Sequence, residues 1–169
     1  YPDIYKMQVQ AIIEATINVK KKGIKVLPEI MIPLIGTVGE MELLKKEVET
    51  TANSILAENG TKMNYKIGTM IEIPRAALTA DQIARHAEFF SFGTNDLTQM
   101  AFGYSRDDVG SFVPKYTQLG ILEKDPFQVL DQSGIGQLVQ IGIQKGRQTR
   151  ADLKIGICGE HGGEPSSIE

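Results

Sequence analysis

Three stretches of the sequence each end on a side chain able to do acid–base or metal chemistry. In Met70-Ile71-Glu72-Ile73-Pro74 an apolar run ends on a carboxylate. In Phe89-Phe90-Ser91-Phe92-Gly93-Thr94-Asn95-Asp96 it ends on a tight polar turn and a second carboxylate. In Lys154-Ile155-Gly156-Ile157-Cys158 it ends on the only cysteine of the chain, with Gly159-Glu160-His161-Gly162-Gly163-Glu164-Pro165 following. Two carboxylates with no nearby histidine pair suit a hard cation. Mg²⁺ takes one or two carboxylates and completes its octahedron with water and substrate oxygens. Glu72 and Asp96 are therefore candidate metal ligands. Gly93-Thr94-Asn95 precedes a helix, so its backbone N–H groups would point at a small anion, a carboxylate or a phosphate. The three glycines after Cys158 leave its thiol uncrowded, and Glu160 or His161 beside it could handle a proton.

Each residue also has a plainer reading. Glu72 could pair with Arg75 at a strand end, and Asp96 could serve the helix dipole. A lone cysteine at a strand end is commonly packing. Gly93-Thr94-Asn95 could be a simple turn. His161 reads as readily as an exposed loop histidine as it does a ligand or base. His86 falls in a helix and reads as structural, while Met70, Phe92 and Met100 read as core or pocket wall. The carboxylates gain weight when both fall in one layer, and the order of elements decides that.

Residues 4–21 carry apolar side chains at mostly helical spacing, and the Lys20–Lys22 run with Gly23 ends them. A strand is expected at 29–34. Thr37 with Glu40 forms a capping-box pattern for a helix from Val38 to about Glu58, closed by Asn59-Gly60. A second strand is expected at 64–73, a short helix at 79–88, a third strand at 89–92 and a helix at about 95–103. Residues 107–119 are expected to be helical, followed by a turn at Asp125-Pro126-Phe127. A helix from Gly134 to about Gln148, a strand at 153–158 and a helix start at Pro165 complete the chain. Strands that alternate with helices and stay apolar along their length belong to a parallel sheet covered by helices. The fold class is α/β, either an open doubly wound sheet or about four consecutive βα units of a (β/α)8 barrel. In both, catalytic groups gather at the carboxyl ends of strands, where Glu72, Asp96 and Cys158 fall.

Composition narrows the function. The 169 residues are 41% hydrophobic and 23% charged, which describes one globular domain with a real core. The net charge is −3 and there is no basic stripe, which argues against nucleic acid or an anionic membrane as partner. No apolar run approaches the ~20 residues of a membrane span. One cysteine excludes an internal disulfide and a cysteine-based zinc cage, and suits a reducing compartment such as the cytoplasm or an organelle interior. The chain starts on Tyr1 and stops at Glu169 where a helix should begin, so a piece of a longer domain is expected.

The segments "GTMIEIPRAAL", "FFSFGTNDLTQMAFGYSRDD" and "GICGEHGGEPSS" resemble the carboxyl-terminal, PEP/pyruvate-binding domain of the pyruvate, phosphate dikinases, a branch of the PEP-utilizing enzymes. The resemblance covers essentially the whole chain. It implies a (β/α)8 domain that binds pyruvate or phosphoenolpyruvate with Mg²⁺ held by Glu72 and Asp96. It implies substrate contacts from Glu72, Gly93, Thr94, Asn95 and Asp96, and an acid/base role at the substrate's methyl carbon for Cys158. The implied reaction converts ATP, pyruvate and phosphate to phosphoenolpyruvate, AMP and diphosphate. A phosphohistidine on a swivelling domain of the same full-length chain carries the phosphoryl group, and a homodimer through this domain is implied. Neither His86 nor His161 sits in that carrier motif. Phosphoenolpyruvate synthase, the phosphotransferase-system enzyme I and a non-catalytic binding or dimerisation module remain alternatives. The isolated chain is expected to lack full activity and to self-associate through exposed strand edges.

Overall fold

The computed structural model describes residues 1–168. Four parallel strands form one sheet in the order β1-β2-β3-β4, with β1 at Glu29–Ile32, β2 at Lys66–Ile71, β3 at Phe89–Gly93 and β4 at Lys154–Cys158. A doubly wound sheet reverses its strand order at a switch point, whereas a barrel adds each strand beside the last. The sequential order is that of an arc of a barrel. Its curvature is visible in one contact. β1 and β4 are three strand spacings apart, about 14 Å along a flat sheet, yet Lys154 Nζ lies 2.6 Å from the Glu29 carboxylate. The sheet bends enough for side chains of its two outer strands to meet across the concave face. Both partners are partly exposed, so the pair contributes at most about 1 kcal/mol, and its value here is geometric.

Side-chain alternation sorts the sheet into two faces. Ile30, Ile32, Ile67, Thr69, Ile71, Phe90 and Phe92 are buried on the convex side, beneath the helices. Helix α1 (Pro2–Lys21) docks through Val9, Ile13 and Ile17, spaced four residues apart on one stripe, and packs along α2 (Val38–Glu58). Fully burying such a side chain stabilises by about 1.5–3 kcal/mol, which is why this stripe rather than the basic end sets the helix position. Helix α7 (Ile135–Thr149) covers β3, with Phe90 and Phe92 against Gly146 and Gly142, and also packs on α3 (Pro74–Leu78) and α4 (Ala80–Ile83). Met70, Ser91, Gly93, Gly156 and Cys158 alternate onto the concave side.

Several boundaries differ from the expected ones. β1 stops at Ile32 because Pro33 has no N–H to donate and Leu34 turns to φ 56°. β2 is Lys66–Ile71, which leaves Glu72 just past the strand rather than inside it. The helix expected at 79–88 is the four-residue α4, preceded by α3, which starts at Pro74. Thr79 does not cap it: its hydroxyl donates back to the Arg75 carbonyl 2.9 Å away. His86 therefore lies in a turn, not a helix. The segment 107–119 splits into a 3₁₀ turn at Val109–Ser111 and α6 at Val113–Gln118. The break falls at Phe112, whose φ of −134° lies outside the helical region, just ahead of Pro114 in the first turn of α6. Pro165 opens only a 3₁₀ turn, Pro165–Ser167, held by the Glu164 carboxylate through Ser166 N–H and the Ser167 hydroxyl. Helix α5 is Thr94–Phe102.

The capping box at Thr37 is present as expected. Glu40 accepts from Gly36 N–H at 2.9 Å, Thr37 N–H at 2.8 Å and the Thr37 hydroxyl at 3.2 Å, while its own N–H donates to Thr37 Oγ1. The Gly36 N–H, then the Thr37 N–H, hold the Glu40 carboxyl below its usual pKa of 4.5. A depressed folded value means the stabilisation is present above 4.5 and lost as pH falls through the lowered value. Glu40→Ala should cost about 0.5–1 kcal/mol at neutral pH. In urea titrations of the full-length protein the gap from wild type should close in acid; a gap that persists there would contradict the assignment.

Candidate active site

The three motif ends meet at one level of the sheet. Gly93, the last residue of β3, is the register partner of Cys158, the last residue of β4. Ile71 pairs with Phe92, so Glu72 arrives at the level of Gly93. The contact is close: a methyl group on Gly93 would lie 2.5 Å from Glu72 Oε2 and 2.8 Å from both Glu72 Cβ and Met70 Cε. Only glycine leaves room for the carboxylate to lie across the end of β3. Asp96 follows in the first turn of α5, beside the helix N-terminus.

Glu72 is 2% exposed. Its Oε1 accepts the Leu34 N–H at 2.7 Å, which leaves Oε2 toward Gly93. Leu34 holds φ 56°, a conformation that costs a non-glycine residue roughly 1–2 kcal/mol, at the point where its N–H meets this carboxylate. Burial pushes the Glu72 carboxyl above 4.5, the Leu34 N–H pulls it partly back, and the Asp96 carboxylate pushes it up again. Asp96 acts on it as a nearby like charge. Arg75, the ion-pair partner suggested by the sequence, instead donates to the Gly36 carbonyl at 2.6 Å.

Cys158 is half-buried, and its thiol donates a long hydrogen bond of 3.5 Å to the Phe92 carbonyl. Gly159 then turns at φ 97°, and its Cα passes against the Asn95 amide; a Cβ there would lie 3.2 Å from Asn95 Nδ2. Asn95 Oδ1 is buried without a hydrogen-bond partner. Thr94 is fully buried, and its hydroxyl lies 2.7 Å from His161 Nδ1 and 3.4 Å from the Cys158 carbonyl. Its side chain is committed inside the fold, so only its backbone N–H remains for an anion.

His161 departs most from the sequence reading. It is 1% exposed, and its Nε2 lies 3.0 Å from the Pro126 carbonyl. With both ring nitrogens engaged, it is neither a ligand nor a free base. Glu160 points away into an ion pair with Arg106 at 3.2 Å. Two clefts of about 350 and 410 Å³ lie along residues 102–133, one also reaching Ser166, and neither is lined by Glu72, Asp96 or Cys158. The carboxylate pair and the thiol lie instead at the carboxyl ends of β2, β3 and β4. Leu34, whose N–H orients Glu72, is missed by any sequence reading. The Pro-Leu step after β1 marks a strand end without saying where its N–H goes.

The Glu72–Asp96 pair fits Mg²⁺ by its donor set. Both are oxygen ligands, the like charge of Asp96 acts on Glu72, and the partnerless Asn95 oxygen belongs to the same turn as Asp96. Among the described residues no group of three or more His, Cys, Asp or Glu side chains is poised around one point. That also suits a cation whose remaining positions go to water and substrate.

Among the described residues no helix is long and apolar enough to cross a membrane. Residues 1–169 match the family model described as PEP-utilising enzyme, PEP-binding domain. The chain is 61% identical over 170 residues to the pyruvate, phosphate dikinase of Clostridium symbiosum, covering 100% of the chain and 20% of that protein. It is 58% identical over 168 residues to the chloroplastic pyruvate, phosphate dikinase of Mesembryanthemum crystallinum, with 99% of the chain and 18% of the relative covered. The same identity and chain coverage hold for the chloroplastic pyruvate, phosphate dikinase 1 of Arabidopsis thaliana, 17% of which is covered. The chain thus spans about a fifth of the length of the curated relatives it matches. With the three motif ends in one layer and the family model matched from end to end, the chain belongs to the PEP-utilising enzymes, as their PEP-binding domain.

Proposed function

We propose that this domain binds pyruvate or phosphoenolpyruvate and carries out the pyruvate half of a pyruvate, phosphate dikinase reaction in the full-length protein. The observation that carries the reading is the register of Gly93 with Cys158, with Glu72 lying over Gly93. It supports a site where one small keto acid meets a thiol on one side and a carboxylate pair on the other.

Glu72 and Asp96 would hold Mg²⁺, which supplies Lewis acidity toward the substrate's carbonyl and carboxylate oxygens when bound. The backbone N–H groups at the start of α5, from Thr94 to Asp96, offer donors to the substrate carboxylate, with the helix dipole favouring its charge. Cys158 stands at the methyl carbon. Its thiolate takes a methyl proton from pyruvate, leaving the enolate, and its thiol returns that proton in the reverse direction. The enolate oxygen then attacks phosphorus, and the phosphorus–nitrogen bond of a phosphohistidine on another domain breaks. Phosphoenolpyruvate forms and the histidine is released. Glu72 is itself buried, which keeps bulk water from this carboxylate.

In the full-length protein Cys158→Ala should abolish exchange of the pyruvate methyl protons with solvent, while ATP-dependent phosphorylation of the carrier histidine persists. General acid–base groups contribute roughly 10²–10⁴-fold, so exchange within tenfold of wild type would overturn the assignment. Glu72→Ala should weaken Mg²⁺-dependent binding of oxalate, an enolate mimic, at least tenfold by calorimetry, a loss of about 1.4 kcal/mol. Unchanged oxalate affinity would remove Glu72 from the metal site.

A further inference from the structure

We propose that His161 is a positioning residue, an imidazole that locks the Cys158 loop, the Gly93–Asp96 turn and the Pro126 turn into one arrangement. The proposal rests on the Cys158 reading above and goes beyond it. His161 sits in a glycine-rich loop, where an exposed side chain would be expected, and is nonetheless 1% exposed. Its ring bridges two segments far from it in sequence, Thr94 at the start of α5 and Pro126 in the 104–134 connection.

The hydrogen bonds engage both ring nitrogens. The Pro126 carbonyl can only accept, so Nε2 carries a hydrogen and donates to it across 3.0 Å. Nδ1 meets the Thr94 hydroxyl at 2.7 Å, and the same hydroxyl lies 3.4 Å from the Cys158 carbonyl. Thr94 is fully buried, so no water competes. The Pro126 end is itself fixed, since the Asp125 carboxylate accepts the Phe127 N–H at 2.9 Å.

This arrangement gives His161 no free nitrogen for a proton or a metal. Its effect on chemistry runs through Thr94, whose neighbours Gly93, Asn95 and Asp96 form the opposite wall from Cys158. The imidazole holds the two walls at a fixed separation. The same bond carries the 104–134 connection, and with it the cleft lined by Pro126, Leu130 and Ser166, into rigid contact with the site.

The test uses the full-length protein with Thr94→Val, Thr94→Ser and His161→Gln. Thr94→Val keeps the shape and removes the hydroxyl; Thr94→Ser keeps the hydroxyl. We expect Thr94→Val to lower kcat for pyruvate methyl-proton exchange about 100-fold, the scale of a misplacement of about 1 Å, with KM for pyruvate little changed. Thr94→Ser should restore most of the rate. In ¹⁵N-histidine spectra, the resonance lost in His161→Gln should be that of a ring carrying a proton on Nε2. Where His161→Gln fails to fold, the Thr94 pair and the Thr94→Val spectrum still decide the matter. Wild-type exchange in Thr94→Val, no rescue by Thr94→Ser, or a His161 ring without a proton on Nε2 would overturn the proposal. Cys158→Ala separates the two claims. If it loses exchange while the Thr94 and His161 variants keep it, only the positioning role falls. If it keeps exchange, the Cys158 reading falls and takes this proposal with it.

Discussion

The structure turns on the absence of one methyl group. β3 ends on Gly93 because Glu72, arriving from β2, lies across the end of that strand, with no room for a Cβ. The register of β3 with β4 then brings Cys158 to the same level from the other side. A one-residue slip in either pairing would turn Cys158 or Glu72 to the convex face, beneath the helices. The burial of Ile71, Phe90 and Phe92 against those helices holds the register. Core packing on one side of the sheet thus sets the alignment of polar groups on the other.

The polar side carries a cost that a small core alone would not retain. Glu72 is buried, faces a second carboxylate, and is oriented by the N–H of a residue in a left-handed conformation. Each feature opposes folding of the unliganded chain, and each makes sense in the presence of a cation. A bound cation would offset the like-charge repulsion, and ligand binding to the folded state returns stability by mass action. Behind Asp96, the Thr94 hydroxyl and both His161 ring nitrogens are engaged within the fold. A strained carboxylate pair thus rests on a rigid support.

Much of this was legible in the sequence. The parallel α/β order followed from apolar runs alternating with helical periodicity, and Thr37 with Glu40 marked its helix start correctly because a capping box is local chemistry. The three motif ends could be assigned to one rim because parallel strands share a direction. What could not be read depended on long-range partners. Nothing near Leu34 in sequence shows that its N–H reaches Glu72, 38 residues away. His161 was misjudged because loop glycines suggest exposure, whereas its burial depends on Thr94 and on Pro126 in a connection with weak periodicity. The residues 107–119 form two short pieces rather than one helix because the chain breaks at Phe112, with Pro114 in the first turn of α6.

The most direct test of the central claim is a crystal structure of the full-length protein with Mg²⁺ and oxalate. The account predicts one cation with the Glu72 and Asp96 carboxylates both at about 2.1 Å, and oxalate between it and the Cys158 thiol. Oxalate in the clefts along residues 102–133, or a cation that leaves either carboxylate unbound, would contradict it.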